Sequence, residues 1–157
     1  LAHRMEPVGA KDGVAYVNDS KATNAEAAAK SLASFENIYW ICGGVSKAGG
    51  IDSLTGYFGR LAHVFLIGAC SDEFATALEG RVPFSRCETL DNAVQMASHM
   101  ARDAGQEATV LLAPAAASFD QFKSFEARGD AFREQAKELV DIFEREKVEF
   151  DLRGDAA

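Results

Sequence analysis

The stretch NIYWICGG, residues 37–44, is a run of mostly apolar side chains that ends in two glycines. Two similar apolar runs, without alternation of polar and apolar side chains, lie at residues 64–68 and 109–113. A strand has this pattern when helices cover both faces of its sheet, which is typical of parallel sheets. The three runs therefore predict buried strands of a parallel sheet.

Segments with helical spacing separate these strands along the chain. The predicted helices lie at residues 22–35, 51–61, 72–80 and 90–105, and a further short strand is predicted at residues 83–88. Thr23 or Asn24 is the expected cap of the first helix. This alternation predicts an α/β fold of the Rossmann-like, doubly wound kind, with a mostly parallel sheet and helices on both faces.

An N-terminal β-hairpin precedes this alternating part. Residues 4–9 and 13–19 form its two predicted arms, and the turn-prone pair Asp12 and Gly13 forms its bend.

The C-terminal part is predicted to be mostly helical over residues 118–147. One domain is predicted at residues 1–150, and residues 151–157 carry no pattern and are expected to fray. Because the chain begins with Leu1 rather than methionine, it is expected to be a piece of a longer protein.

Composition excludes several classes of function. The chain has 24 acidic and 16 basic residues and a net charge of -8, which repels phosphate backbones and anionic lipid surfaces. No nucleic acid partner is therefore expected, and no membrane partner, since no apolar stretch approaches the ~20 residues that span a bilayer. Three widely spaced cysteines predict no disulfide framework and a reducing, cytoplasmic setting.

Polar clusters follow three of the predicted strands. They are NDSKATN at residues 18–24, GGVSKAGG at residues 43–50 and APAAASFDQF at residues 113–122. Ligands bind at the carboxyl ends of strands in an open parallel sheet, and four glycines around Lys47 allow backbone amides to approach an anion. Neither G-x-x-x-x-G-K-[ST] nor G-x-G-x-x-G occurs, so an independent triphosphatase and a dinucleotide-binding domain are not indicated.

Each cluster also has a purely structural interpretation. Taken alone, the glycine-rich loop is more typical of a flexible connection, although its position at a strand end favours function. Asp19 with Lys21 is equally typical of an exposed ion pair. Ser118 suits the N-cap of the last helix, and the spacing of Phe119, Phe122 and Phe125 is that of core residues. No catalytic triad and no metal site is predicted. Together the clusters suit a small dianion such as a dicarboxylate amino acid or a phosphate.

Four pieces of the sequence resemble the C-terminal domain of the Mur ligases. They are HRME at residues 3–6, NDSKATN at residues 18–24, GG with a downstream lysine at residues 43–47, and ASFDQFKSFEARG at residues 117–129. The pieces follow in the family's order over nearly the whole chain. Sister ligases that add other amino acids usually carry a tyrosine-containing motif in place of NDSKATN, so the resemblance favours the branch that adds D-glutamate.

The resemblance implies a three-domain enzyme of peptidoglycan synthesis. One domain binds a UDP-sugar, a central domain carries the P-loop and holds ATP with Mg2+, and a third, Rossmann-like domain delivers the amino acid. Only the third is matched here, so this chain is expected to be inactive alone. In the family's reaction, ATP phosphorylates the carboxylate of UDP-N-acetylmuramoyl-L-alanine, and the amine of D-glutamate attacks the acyl phosphate.

The resemblance also implies roles for individual residues. Arg4 would contact the ATP phosphates, Asp19 the ribose hydroxyls, and Lys21 would lie near the reacting centre. The carboxylates of D-glutamate would be held by Lys47, Thr23, Ser118 and the backbone of Phe125. The segment APAAAS departs from SPACAS, which is common in the family, but keeps small side chains.

Two alternatives remain open at the level of sequence. One is a domain like that of folylpolyglutamate synthetase, which also joins glutamate through an acyl phosphate. The other is a module that binds an anionic metabolite without catalysis. NDSKATN and the segment at residues 117–129 favour the Mur ligases over the first alternative.

Overall fold

Six strands form one sheet in the computed structural model, which describes residues 1–156. Their order is β1-β2-β7-β3-β5-β6, and every neighbouring pair is parallel except the β1-β2 hairpin. The strands of this sheet are β1 Glu6–Lys11, β2 Val14–Asn18, β3 Ile38–Gly43, β5 Leu61–Ile67, β6 Phe84–Glu88 and β7 Ala108–Leu112. The predicted Rossmann-like, doubly wound fold and its N-terminal hairpin are thus confirmed.

A second, two-stranded sheet lies beyond the carboxyl end of the large sheet. It pairs β4, Val45–Ser46, with β8, Ala116–Ala117, in antiparallel register.

The helices cover both faces of the large sheet. They are α1 Ala25–Ser34, α2 Ser71–Leu78, α3 Leu90–Ala104, α4 Phe125–Ala156 and a 3-10 helix at Asp52–Arg60. Trp40 and Cys42 of β3 pack in one core with α1 and α2, while Tyr39 and Ile41 pack in the other core with α3 and α4. Burial on both faces explains why the strand lacks alternation.

The first helix begins as the sequence predicts. Asn24 accepts a hydrogen bond from the Ala27 amide at 2.8 Å, so it is the cap of α1. The predicted helix at residues 51–61 is a 3-10 helix, Asp52–Arg60, rather than an α-helix.

The last helix begins later than predicted. The carbonyl of Ser118 accepts bonds from the amides of Gln121 and Phe122, which closes a turn, and Ser124 instead caps α4 by accepting from Ala127. The interpretation of Ser118 as a helix cap is therefore wrong. Phe119 is not a core residue either, since 74 % of it is exposed.

The helix α4 extends through residues 151–156, for which the sequence shows no pattern. Their fraying stays a prediction, and residue 157 lies outside the described part of the chain. Over residues 1–156, no helix combines the length and the apolar character that crossing a membrane requires.

Two consecutive glycines let β3 end close to its neighbours. Gly43 and Gly44 have φ angles of 127° and 138°, and a Cβ atom on them would overlap the carbonyl oxygens of Ile67 and Ala117. Only glycine fits such a conformation and such an approach. The glycine pair therefore places the following loop against the loop that carries Ser118.

Candidate functional site

Three polar loops meet at the carboxyl end of the large sheet. They follow β2, β7 and β3, which are neighbouring parallel strands. Backbone hydrogen bonds join the loops: Asp19 N to Leu112 O at 2.8 Å, Ala115 N to Ala22 O at 2.9 Å, and Gly43 N to Pro114 O at 2.9 Å. The three clusters that the sequence analysis placed at strand ends are thus brought together.

Register places Lys47 close to the segment that contains Thr23. Ser46 pairs with Ala116 in the two-stranded sheet, so Lys47 and Ala115 lie at the same end of that ladder. Ala115 in turn donates to the carbonyl of Ala22, the residue before Thr23. Lys47 is exposed and forms no ion pair within the described residues, so its ammonium is available to an anion.

Ser118 carries a buried hydroxyl that nothing in the described part of the chain satisfies. The residue is 2 % exposed, and its Oγ has no hydrogen-bond partner among residues 1–156. An unpaired buried hydroxyl costs free energy, and such groups in folded proteins call for an explanation. A ligand oxygen that reaches this hydroxyl would supply the missing bond.

Phe125 is the first residue of α4, and its backbone amide lies in the first turn of that helix. The first amides of a helix have no partner inside the helix, and Ser124 Oγ takes only that of Ala127. The carbonyl of Phe125 is engaged, since it accepts a hydrogen bond from Ser20 Oγ at 2.7 Å. Ser20 thereby fixes the start of α4 against the loop after β2.

Arg128 stabilises the same contact through hydrogen bonds to Ser20. Its guanidinium donates to Ser20 Oγ at 2.9 Å, to Ser20 O at 2.8 Å and to Ala116 O at 3.1 Å. The side chain is 1 % exposed and has no carboxylate within 4 Å among the described residues. Burial lowers the pKa of Arg128 to about 10, although Asp120 acts in the opposite direction.

Asp19 is buried and already holds two parts of the protein together. Its Oδ1 accepts from the Met5 amide at 3.1 Å, its Oδ2 accepts from Ser31 Oγ, and the residue is 5 % exposed. A carboxylate offers about four lone-pair sites, so two acceptor positions remain. The side chain also lines a cavity of about 160 Å³.

This cavity, the Arg4 pocket, is lined by four charged side chains together with Met5, Ala22 and Ala27. The charged ones are Arg4, Asp19, Lys21 and Lys30. None of the three cations forms an ion pair with a side chain of residues 1–154. The pocket therefore has an excess of positive charge in a chain whose net charge is -8.

An unusual backbone presents Arg4 to the pocket. The residues on either side, His3 and Met5, have φ angles of 64° and 47°, which residues other than glycine adopt rarely. The amide of Met5 is held by Asp19, and the carbonyl of His3 accepts from the amide of Lys21 at 3.0 Å. These bonds hold the strained segment in place.

The sequence offered no partner for His3, but the structure supplies several. Asn18 Nδ2 lies 3.0 Å from His3 Nδ1, Asp130 Oδ1 lies 3.5 Å from His3 Nε2, and the ring packs edge-on against Phe125. Gly129 of α4 makes room for the ring, since a Cβ atom there would overlap His3 Nδ1. His3 is thus wedged between the hairpin and α4.

Glu6 extends this network toward α4. Its carboxylate accepts from Arg133 at 2.8 Å and 3.0 Å and from Asn18 at 3.0 Å. Burial raises the pKa of Glu6, but the bonds from Arg133, from the His3 amide and from Asn18 outweigh this, and the pKa lies below its ordinary value.

Two structural residues of the site escaped the sequence analysis. Ser31 holds Asp19 from α1, and Arg128 holds Ser20 from α4. Both lie at helix positions whose partners come from distant parts of the chain, so spacing alone gave no signal. Arg128 belongs to the segment at residues 117–129 that carries the family resemblance, which was the only signal at this position.

The described residues offer neither a metal site nor a nucleophilic cysteine. No group of three or more His, Cys, Asp or Glu side chains among them is arranged to hold a metal ion. Burial raises the pKa of Cys42 well above its ordinary value and that of Cys70 to about 11, so these thiols stay protonated. The site therefore consists of cations, hydroxyls and backbone amides.

Comparison with known proteins places this chain in a family. The family model described as "Mur ligase, glutamate ligase domain" matches residues 3–116. A protein of Brucella abortus (strain 2308) named UDP-N-acetylmuramoylalanine--D-glutamate ligase is 59 % identical over 147 residues, 90 % of this chain and 31 % of that protein. A Paramagnetospirillum magneticum protein of the same name is 53 % identical over 146 residues, 92 % of this chain and 31 % of that protein. The chain spans about a third of the length of these relatives.

Proposed function

The chain belongs to the Mur ligase family as a glutamate ligase domain, and on this basis we propose that it delivers D-glutamate in an ATP-dependent ligase of peptidoglycan synthesis. The ligase would join D-glutamate to UDP-N-acetylmuramoyl-L-alanine through an acyl phosphate. This chain would be its C-terminal domain, and the domains that bind the UDP-sugar and the body of ATP would lie elsewhere in the protein. A cytoplasmic location belongs to the same proposal, because the reaction consumes ATP.

The observation that carries the proposal is the buried hydroxyl of Ser118, which has no partner within the described residues and lies in one of three joined loops, the other two of which carry Lys21 and Lys47. D-glutamate has two carboxylates, and charge-assisted hydrogen bonds are the strong way to hold them. In this proposal, one ammonium, two hydroxyls and one backbone donor would hold them, from Lys47, Thr23, Ser118 and the amide of Phe125. This donor set suits a dicarboxylate amino acid.

The neighbouring Arg4 pocket would receive the phosphate end of ATP. Arg4 and Lys21 line it as unpaired cations, which fits a polyanion. Asp19 keeps two acceptor positions free for ribose hydroxyls, although its first task is to hold Met5 and Ser31. In the proposed reaction, Lys21 lies between the two ligands because its loop borders both sites.

The chain's contribution to catalysis would be to place the amine and to exclude water. An acyl phosphate hydrolyses readily, so a domain that binds both ATP and the amine can close over the acyl phosphate and bring the amine within reach. Arg4 would stabilise charge that develops on the transferred phosphoryl group. Mg2+, which ATP chemistry of this kind uses, would be held by the central domain of the ligase, as the family resemblance implies.

A hybrid ligase tests the proposal. In it, this chain replaces the matching segment of the Brucella abortus relative, and phosphate release from ATP is measured with UDP-N-acetylmuramoyl-L-alanine and glutamate. We expect release that depends on D-glutamate and is at least tenfold slower with L-glutamate. Equal rates with L-glutamate, or activity with a folate in place of the muramoyl nucleotide, would refute the assignment, and binding of D-glutamate without turnover would favour a non-catalytic module.

A further inference from the structure

We propose that Lys30 is a third phosphate-binding cation of the Arg4 pocket, an inference that rests on the proposed nucleotide role of that pocket. Lys30 belongs to none of the motifs in which the family resemblance lies. It comes from the sixth residue of α1, while Arg4 and Lys21 come from the two loops that flank β1 and β2. Three separate elements therefore each contribute a basic residue to the lining of one cavity.

The geometry of α1 explains why Lys30 reaches the pocket. Ala27 and Lys30 are three residues apart and share a face of the helix, and both line the cavity. Ser31, the next residue, holds the Asp19 carboxylate at the edge of the same cavity. Because position 27 carries only a methyl group, the space in front of Lys30 stays open.

The charges around the pocket favour an anion of more than one charge. Three cations face one carboxylate, which leaves a formal charge of +2. Asp19 already accepts hydrogen bonds from Met5 and Ser31 on both oxygens, so part of its charge is compensated within the protein. Glu26 lies one turn before Lys30 on α1 but forms no ion pair with it within 4 Å. Without a ligand, nothing in the described residues neutralises Lys30.

The volume of the cavity favours a part of a nucleotide over a whole nucleotide as its ligand. Pockets that hold whole drug-sized molecules have volumes of about 300–1,000 Å³. The Arg4 pocket measures about 160 Å³, which suits a short run of phosphates rather than a base with its sugar and phosphates. The phosphoryl groups are also the part of ATP that carries the negative charge.

Inorganic tripolyphosphate is the probe that tests Lys30 independently of the ligase reaction. We expect calorimetric titration of the 157-residue chain to show saturable binding that weakens as salt is added, because exposed charges are screened. Lys30→Gln should raise the Kd about three- to fivefold, and Lys30→Arg should leave it nearly unchanged. Lys137→Gln is the matched control, since Lys137 is an exposed lysine on α4, which covers the opposite face of the sheet.

The outcomes separate this inference from the proposed function. Equal Kd values for the wild-type chain and Lys30→Gln, or no binding of tripolyphosphate at all, would overturn the role of Lys30. An equal loss in Lys137→Gln would also overturn it, because binding would then follow net charge. If tripolyphosphate binds through Lys30 while the hybrid ligase ignores D-glutamate, the pocket stands and the proposed reaction fails.

Discussion

Single side chains at the edge of the sheet fall into two groups with different tasks. Lys47 and Ser118 have no partner within the described residues, so their polar groups are free for a ligand. Asp19 and Ser31 are joined by a hydrogen bond, which ties the loop after β2 to α1. Substitutions should therefore separate effects on ligand binding from effects on stability.

Lys47→Ala in the hybrid ligase should raise the KM for D-glutamate about tenfold or more, because a charge-assisted bond to a carboxylate is lost. The KM for ATP should change less than twofold. Steady-state kinetics with each substrate varied in turn give both values, and Lys137→Ala serves as the control. An unchanged KM for D-glutamate would remove Lys47 from the site.

Ser118→Ala and Ser31→Ala form a matched pair. Ser118→Ala removes a buried hydroxyl without a partner, so the free energy of unfolding should rise by about 1 kcal/mol while the KM for D-glutamate rises about fivefold. Ser31→Ala leaves an oxygen of the buried Asp19 without its donor and should cost about 1–3 kcal/mol. Urea unfolding measures the stability of both variants. A similar loss of stability in the two variants would contradict this division.

Asp19→Ala should weaken the binding of ATP and lower the stability of the chain. The amide of Met5 loses its acceptor, and Arg4 therefore loses its fixed position. We expect the KM for ATP to rise at least fivefold in the hybrid ligase, with a loss of about 1–3 kcal/mol in the unfolding free energy of the chain. An effect confined to the KM for D-glutamate would show that Asp19 serves the other ligand.

Among the elements, α4 does more than close the core. Its first five residues include Phe125, Arg128 and Gly129, which contact the loop after β2 and the strained segment around Arg4. The helix therefore couples the start of the chain to the proposed glutamate site. A disturbance in this turn should reach both proposed ligands.

Gly129→Ala tests this coupling. The added methyl group would overlap the ring of His3, so we expect a loss of about 1–3 kcal/mol in unfolding free energy and a higher KM for ATP, since Arg4 follows His3. Gly154→Ala is the control on the same helix, because a Cβ atom there meets nothing within 4 Å and alanine favours a helix by up to about 1 kcal/mol. Equal stabilities of the two variants would show that His3 moves aside freely.

Sequence patterns predicted the elements better than their ends. Continuous apolar runs identified β3, β5 and β7, because burial on both faces leaves a direct trace in composition. The start of α4 was predicted too early, because the backbone of Ser118 closes a turn whose bonds leave no trace in residue spacing. For the same reason the buried bonds of Arg128 and Ser31 emerged only from the structure.

On the scale of the whole molecule, basic side chains without ion pairs lie at the carboxyl end of the sheet in an otherwise acidic chain. Arg4, Lys21, Lys30 and Lys47 lie on loops and a helix that meet there, in a chain with a net charge of -8. The loops were predicted to meet because parallel strands share their carboxyl ends. Their detailed arrangement depends on long-range bonds, such as that between Ala115 and Ala22, which a sequence alone does not reveal.

An amide chemical-shift titration of the 157-residue chain with D-glutamate and, separately, with L-glutamate shows whether the proposed glutamate site exists on this chain. We expect saturable shifts at the amides of Lys21, Lys47, Ser118 and Phe125 with the D form, and much weaker ones with the L form. Equal shifts with both forms, or none at these amides with the D form, would contradict a stereoselective glutamate site on this chain.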